Sequence, residues 1–479
     1  MLFTSFEFIF LFLPIVFIGY FLLTKVNFTF AKLLLVLSSL FFYSWWNVAY
    51  LPLLLGSIVF NYFYGKFLSS KSSKLLLSFG IIVNVLVLGY FKYMDFFITN
   101  VNFLFSTTFE LFHLLLPLGI SFFTFQQIAY LVDSYRKESK DYSILDYSLF
   151  ISFFPQLIAG PIVYHKDMLP QFVNSENRRI NIQNIATGIF IFVLGLFKKV
   201  GIADTFAKWA NSGFANSDNL TFVEGWITSL SYTMQLYFDF SGYSDMAIGL
   251  GLMFNIRLPL NFNSPYKSLS IQEFWRRWHM TLNQFLTKYL YFPLGGSKKG
   301  TTRTYINILI IFAVSGIWHG AGWTFVIWGM MHGIASCINR LWSKFGFRLP
   351  TFFAWFVTFN FVNIAWVFFR ATSVQQAIDV LKSMFDVKNL LSTNYLAEQM
   401  MLFHTPTEFL GFSFSLVYFI TFMMIACLII ALFTKNTWEL SQLRFNSIIG
   451  AVYVAAIITI ATYVVFSNFS SSEFIYFNF

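Results

Sequence analysis

A histidine stands at position 319 inside an otherwise apolar run, Ser315-Gly-Ile-Trp-His-Gly-Ala-Gly-Trp323. An ionisable residue in such a run is a functional candidate by default. Unperturbed imidazole titrates at about 6.5, so a neutral ring at 319 could take a proton from an attacking hydroxyl at physiological pH. Positioned acid–base help of that kind contributes roughly 10² to 10⁴ in rate. The competing reading is a neutral histidine hydrogen-bonded between helices. Gly316, Gly320 and Gly322 fit both, because missing side chains leave room for close helix contact or for a narrow substrate.

A second histidine, His279, follows Arg276, Arg277 and Trp278. It reads either as the polar tip of an interfacial helix or as a second group lining the cavity of His319. His319 and His332 are thirteen residues apart, which on one helix of 3.6 residues per turn places them on roughly opposite faces. No His-x-x-x-His pair exists, and a metal site is not expected. Tyr237-Phe-Asp-Phe-Ser-Gly-Tyr-Ser-Asp-Met246 sets Asp239 and Asp245 in an apolar segment, on different faces of a helix. Structural pairing with a cation or amide is the stronger reading for both, and a place along a substrate tunnel the other. Lys298, Lys299 and Arg303, just after Gly295-Gly296, could bind the phosphates of a coenzyme A donor, and lipid headgroups explain them equally.

The elements that must carry these residues are membrane helices. Of 479 residues 57% are hydrophobic and only 11% charged, against about 25% charged in soluble domains. Apolar runs recur near 5–23, 33–63, 75–91, 111–131, 184–197, 304–331, 352–369, 413–433 and 447–466. With shorter and more polar segments such as 226–254, about ten to twelve transmembrane or re-entrant helices fit. The runs are unbroken rather than alternating, so helices are a better reading than β-barrel strands. The fold class is therefore all-α and polytopic, read as one membrane domain over 1–479. The first run carries Glu7 and no basic flank or small-residue cleavage pattern before Lys25, so it is expected to stay as an anchor. Cys337 and Cys427 can build neither a disulfide framework nor a thiolate cluster. The net charge of +10 gathers in short loops, as the positive-inside rule and contact with anionic lipid require. Nucleic-acid binding is disfavoured, because no soluble basic domain stands out in the sequence.

Two stretches are more polar than ordinary loops. In 255–303, Ser270 and Glu273 form a capping-box pattern, and a helix from about 271 to 290 is expected. Along it Trp275 and His279 would share a face, and Glu273 would pair with Arg277. In 371–411, Ser373 and Gln376 open a helix with Ala377, Val380, Leu381 and Met384 on one side, expected to lie at the surface. The segment 147–163 is apolar but interrupted by Pro155, Gly160 and Pro161. Irregular backbone at membrane depth survives only beside protein or a water-filled cavity, which predicts a re-entrant loop.

Six stretches carry a resemblance in their order and combination. They are Phe153-Phe-Pro-Gln-Leu-Ile-Ala-Gly-Pro-Ile162, Phe238-Asp-Phe-Ser-Gly-Tyr-Ser-Asp-Met-Ala-Ile-Gly249, Asn261-Phe-Asn-Ser-Pro-Tyr266, Phe274-Trp-Arg-Arg-Trp-His279, Tyr291-Phe-Pro-Leu-Gly-Gly296 and Trp318-His-Gly-Ala-Gly-Trp323. Together they resemble the membrane-bound O-acyltransferase family, in its bacterial branch of alginate and peptidoglycan O-acetyltransferase membrane subunits and teichoic-acid D-alanylation proteins. The resemblance implies a ring of tilted helices around a central tunnel, with His319 as catalytic histidine and His279 as the second histidine beside the reaction path. Trp318, Trp323, Trp275, Asp239 and Asp245 would line that tunnel. Where the branch usually reads Arg-Asp-Tyr before the Gly-Gly turn, this chain has Thr287-Lys-Tyr289, so no acidic role can be given to position 288.

The implied activity is acyl transfer, favoured as acetyl, from a cytoplasmic thioester such as acetyl-CoA toward an extracytoplasmic acceptor for polysaccharide O-acetylation. No bound cofactor is expected. A separate extracytoplasmic acetyltransferase or esterase-like partner protein would act with it, in the bacterial inner membrane. The rivals are D-alanyl transfer to teichoic acid and a non-enzymatic polytopic transporter, the latter without an internal repeat in its favour.

Overall fold

A computed structural model of the chain describes residues 1–387 and 416–442, together with 408, 409, 412, 413, 455, 459, 462, 474 and 475. Most of the expected span near 447–466, and most of the polar stretch 371–411 beyond residue 387, lie outside these residues. In lipid every backbone amide must find its partner within the segment, so apolar runs become helices. They are α1 (Leu13–Val26, preceded by a π turn Phe8–Phe12), α2 (Phe28–Ser44), α3 (Leu51–Ser70), α4 (Lys74–Phe105) and α5 (Ile120–Tyr135). Next come α6 (Ile144–Ser152), α7 (Phe154–Leu157), α8 (His165–Val173), α9 (Ile182–Leu196), α10 (Asp204–Ala215) and α11 (Phe222–Met253). The second half holds α12 (Ile271–Arg277), α13 (Met280–Leu286), α14 (Thr301–His319), α15 (Trp323–Lys344), α16 (Thr351–Arg370), α17 (Val374–Phe385), α18 (Leu416–Phe433) and α19 (Thr437–Ser441). The strand content among the described residues is one two-residue pairing, Glu408–Phe409 with Phe412–Ser413. Among the described residues six helical segments are long and apolar enough to cross a membrane, and α2 and Phe419–Phe433 are shorter apolar ones. The protein is a polytopic all-helical membrane protein.

Its centre is α11, 32 residues long and buried over almost its whole length. It runs antiparallel to α9 at a distance only glycine permits. A Cβ on Gly188 would stand 2.6 Å from the Gly249 carbonyl oxygen, and one on Gly195 would stand 2.6 Å from that of Gly242. Small residues that let backbones touch are the usual basis of helix association where no hydrophobic force acts between helices. The hairpin α14–α15 repeats the device, since a Cβ on Gly316 would meet Phe325 O at 2.4 Å and one on Gly329 would meet Phe312 O at 2.3 Å.

The interrupted segment 147–163 folds as α6, the single-turn α7 and an extended piece, and nearly all of it is buried by protein. Gln156 Nε2 donates to Phe150 O, and Phe154 N donates to the Ser39 hydroxyl, so the broken backbone finds partners. The helix predicted after residue 371 forms as α17, with Ser373 Oγ accepting from Gln376 N. Its buried Ala377, Val380 and Met384 lie on the side that packs against α11, with Ser383 over Gly225.

The loops sort by charge. Helices α4 and α14 run in the same sense, because Tyr93 bonds Ile317 O and, further along α4, Asn100 accepts from Trp323, just past the end of α14. Their starting ends therefore share one face of the molecule. That face carries the basic stretches 66–74, 136–140, 298–303 and 340–348. The connections at the opposite end, 45–50, 106–119 and 320–322, contain no lysine or arginine.

Candidate functional site

His319 is the last residue of α14, about 28 Å of helix from its start. The carbonyls at a helix end have no partner inside the helix, and here α4 supplies it. Lys92 Nζ donates to Trp318 O at 2.5 Å, to His319 O at 3.3 Å and to the Ser121 hydroxyl at 3.3 Å. A cation at a helix C-terminus is also favoured by the helix dipole. The imidazole of His319, in a residue only 2% exposed, is enclosed by Trp318, Trp328 and Phe369, with ring centroids 4.9, 5.1 and 5.1 Å away.

His279 reaches the same place from another element. Its ring centroid lies 6.2 Å from that of His319 and 6.0 Å from Trp318, and it is fully buried. The expected helix 271–290 is not continuous. It ends at Arg277, turns at His279 with φ 43°, resumes as α13 and closes in a π turn over Thr287–Tyr291. A left-handed backbone at a residue with a Cβ costs of order 1–3 kcal/mol and persists only where its surroundings enforce it. The surroundings here are Asn261. Its Oδ1 accepts from Thr281 N and Thr281 Oγ1 and lies 3.1 Å from His279 Nδ1, while its carbonyl accepts from Met280 N. The break separates Trp275 from His279, so the two do not share a helix face. Trp275 Nε1 donates instead to His332 Nδ1 at 3.2 Å. The Glu273–Arg277 pair forms at 2.9 Å, and Ser270 caps the helix, although Glu273 reaches back to Leu269 N rather than to Ser270 N.

The opposite-face argument for His319 and His332 does not hold, because a hairpin rather than one helix connects them. Both rings pack on Trp328, at 5.1 and 5.0 Å. Among the described residues no group of three or more His, Cys, Asp or Glu side chains comes together to hold a metal ion. Asp239 pairs with Lys199 at 2.6 Å and accepts from Ile475 N, and Lys199 also binds Asp204 at 2.7 Å. Asp245 pairs with Lys198 at 2.6 Å and accepts from the Thr437 hydroxyl at 2.7 Å. Both carboxylates thus have structural partners. Trp318 stacks on Phe125 at 5.2 Å inside the cluster. Trp323 lies at the surface, 58% exposed, bonded to Asn100. Lys298, Lys299 and Arg303 are exposed, with the stem of Lys299 folded against Gly295.

Two features had no signal in the sequence. One is a buried carboxylate, Asp133 on α5, which gathers His165, Lys166, Lys288 and Tyr289 within 3.6 Å. Lys288, the residue that departs from the family pattern, thereby has an acidic partner across the fold. The other is a pair of cavities that approach the histidines along α14. One, about 300 Å³, is lined by Lys92, Asp95, Gly320, Ala321 and Phe325 at the hairpin turn. The other, about 270 Å³, runs from Arg276 and Arg340 inward to Trp275, Phe312 and Ser315. Ser315 and Gly320 are five positions apart, about 7.5 Å of helix rise, and His319 sits between them. The rings of Trp318, Trp328 and Phe369 surround the imidazole there, and neither of these two cavities reaches it.

Helices in this number with a histidine pair buried between two cavities define a multi-pass membrane protein equipped for chemistry in its interior. The chain belongs to the membrane-bound O-acyltransferase family, whose sequence model matches residues 40–376, and it is an acyltransferase. It is 48% identical over 516 residues to the peptidoglycan O-acetyltransferase of Helicobacter pylori, covering 100% of this chain and 98% of that protein. It is 43% identical over 396 residues to a probable alginate O-acetylase of Pseudomonas aeruginosa, covering 80% and 75%. To the teichoic acid D-alanyltransferase of Bacillus subtilis it is 30% identical over 274 residues, covering 53% and 68%.

Proposed function

We propose that the protein transfers an acetyl group from a cytoplasmic thioester, with acetyl-CoA as donor, to a hydroxyl acceptor on the far side of the bacterial inner membrane, and that this transfer serves O-acetylation of a cell-envelope polysaccharide. The observation that carries the reading is the meeting of His319 and His279, 6.2 Å apart, between two cavities that come from opposite ends of α14. The basic loops lie at the Arg276–Arg340 end, and basic loops face the cytoplasm. The donor enters there, and the acceptor enters by the cavity at Gly320 and Ala321. Among polymers, peptidoglycan is favoured, since a relative aligned over 98% of its length carries that name.

In the reaction His319 takes the proton of the acceptor hydroxyl as its oxygen bonds to the acetyl carbon. The carbon–sulfur bond breaks, and the departing thiolate receives the proton from the imidazolium. His279, held by Asn261, is the second imidazole beside this path. Opening of the ring cage around His319 would admit both substrates while excluding bulk water, which protects the thioester from hydrolysis. A separate extracytoplasmic partner protein passes the acetyl group to the polymer.

Exchange of His319 for Ala is expected to abolish polymer O-acetylation while the protein accumulates in the membrane at its normal level. Unchanged acetylation in that strain would overturn the assignment. Purified protein that ignores acetyl-CoA and turns over only an aminoacyl group on a loaded carrier would replace acetyl transfer by D-alanyl transfer.

A further inference from the structure

We propose that Lys92 is a positioning residue of the transfer reaction: its ammonium fixes the end of α14, and with it the His319 imidazole, beside the cavity by which the acceptor enters. The proposal rests on the reading of His319 as the base and adds a group that this reading does not use.

The last four carbonyls of α14 all have partners, and side chains of α4 supply most of them. Gly316 O accepts from Gly320 N, and Ile317 O accepts from the Tyr93 hydroxyl at 2.8 Å. Trp318 O and His319 O accept from Lys92 Nζ at 2.5 and 3.3 Å. The same ammonium reaches the Ser121 hydroxyl of α5 at 3.3 Å. An ammonium has three donors, so its whole capacity is spent on acceptors from two helices. Helix ends fray where their terminal carbonyls go unmet. The backbone of His319 is thus held from α4 and α5 rather than by its own helix.

Polar contact between helices needs no charge, as α4 itself shows. Asn84, eight positions before Lys92, joins Asn61 of α3 through reciprocal amide bonds of 2.8 and 3.1 Å. A lysine is a far costlier choice in a membrane span, and Lys92 lies about 27 Å of helix from the start of α4, close to the depth of His319 on α14. Elsewhere in the fold Lys32, Lys198, Lys199 and Lys288 each pair with an aspartate. Among the described residues Lys92 forms no such pair. Asp95, one turn further along α4 and lining the same cavity, gives its two oxygens to Phe112 N and His113 N. The charge of Lys92 is therefore directed at the negative end of the α14 dipole and at the acceptor cavity. Its loss should slow the transfer step and leave recognition of the donor, which arrives from the other end of α14, almost unchanged.

The test uses inside-out membrane vesicles from cells expressing the full-length protein. Radiolabelled acetyl-CoA is supplied at the exposed cytoplasmic face, label on the envelope polymer is counted, and polymer acetylation of the intact cells is measured in parallel. Lys92→Met is expected to lower the maximal rate roughly tenfold or more while the KM for acetyl-CoA changes less than about threefold. Lys92→Arg keeps charge and donors and should recover part of the rate. Asn84→Ala breaks a buried polar pair on the same helix away from the histidine, so it should melt lower in detergent yet keep most of the wild-type rate. A Lys92→Met rate no lower than that of Asn84→Ala would overturn the proposal, as would a loss confined to KM or no recovery with arginine. Ser121→Ala removes one acceptor of the ammonium and should slow transfer by about threefold. Should Lys92→Met fail to accumulate, that milder variant decides, and an unchanged rate overturns the proposal. Vesicles that ignore acetyl-CoA would count against that donor alone, and the same comparison of variants is then read from the cells. His319→Ala in the same assay separates the two claims: normal transfer there refutes the base, whereas an inactive His319→Ala beside a fully active Lys92→Met refutes only the role of Lys92.

Discussion

The contact between Gly316 and α15 ties backbone packing directly to the placement of His319, and a single added methyl should reveal it. A Cβ at Gly316 would stand 2.4 Å from Phe325 O and 3.2 Å from Gly329 Cα. A carbon–oxygen contact needs about 3.3 Å, so α14 and α15 must part by roughly 1 Å. Both obstructing atoms are backbone, and no side chain can swing aside. Overpacking of this kind costs about 1–3 kcal/mol. The larger effect is positional, because His319 follows three residues later and is caged by rings at 4.9 to 5.1 Å. A displacement of about 1 Å at a reacting group can lower turnover 10²-fold. Gly316→Ala is therefore expected to accumulate in the membrane, melt a few degrees lower, and lose about 99% of its acetyl transfer under saturating donor. Gly56→Ala, whose new methyl meets nothing within 4 Å, is the control. Turnover of Gly316→Ala equal to that of the control would refute the claim that the glycine contact places the histidine.

Other expectations follow from the same geometry. Asn261→Ala removes the acceptor for Thr281 N and Thr281 Oγ1 and the partner of His279, so acetyl transfer should fall by roughly tenfold or more while stability falls by about 1–3 kcal/mol. Wild-type kinetics in this variant would remove His279 from the mechanism. Lys199→Met leaves the buried Asp239 and the half-buried Asp204 without this cation, which should cost about 3–5 kcal/mol in detergent melting. Adding Asp239→Asn should restore part of that loss, and a double variant no more stable than the single would show that the ion pair is not the cause.

The helical architecture was legible because lipid leaves the chain few choices, and long apolar runs announce themselves. His319 was equally visible, since nothing else ionisable interrupts its run. The path of the backbone between runs was not. Residues 274–279 contain no glycine or proline, so the periodicity predicted one helix where Asn261, far back in sequence, imposes a left-handed turn at His279. The same blindness misjudged His319 and His332, whose relation depends on the hairpin at Gly320–Gly322 rather than on helical phase. Pairing for Asp239 and Asp245 was foreseen, but not that adjacent lysines, Lys198 and Lys199, take one each. Asp133 gave no sign at all, because its partners come from two other segments, around His165–Lys166 and Lys288–Tyr289.

The glycine seam between α9 and α11 bears on how the chain enters the bilayer. With Glu224, Asp239 and Asp245 along it, α11 is not among the segments apolar enough to cross unaided, and each central carboxylate opposes insertion by a few kcal/mol. The neutralising lysines lie just after α9, upstream, and so are synthesised first. The seam lets the later helix dock flush against the earlier one as it emerges, with both charges already answered. Biogenesis would then release residues 182–253 from the translocon as one hairpin, and a glycine blocked with a larger side chain would be caught by quality-control proteolysis before it could fail as an enzyme.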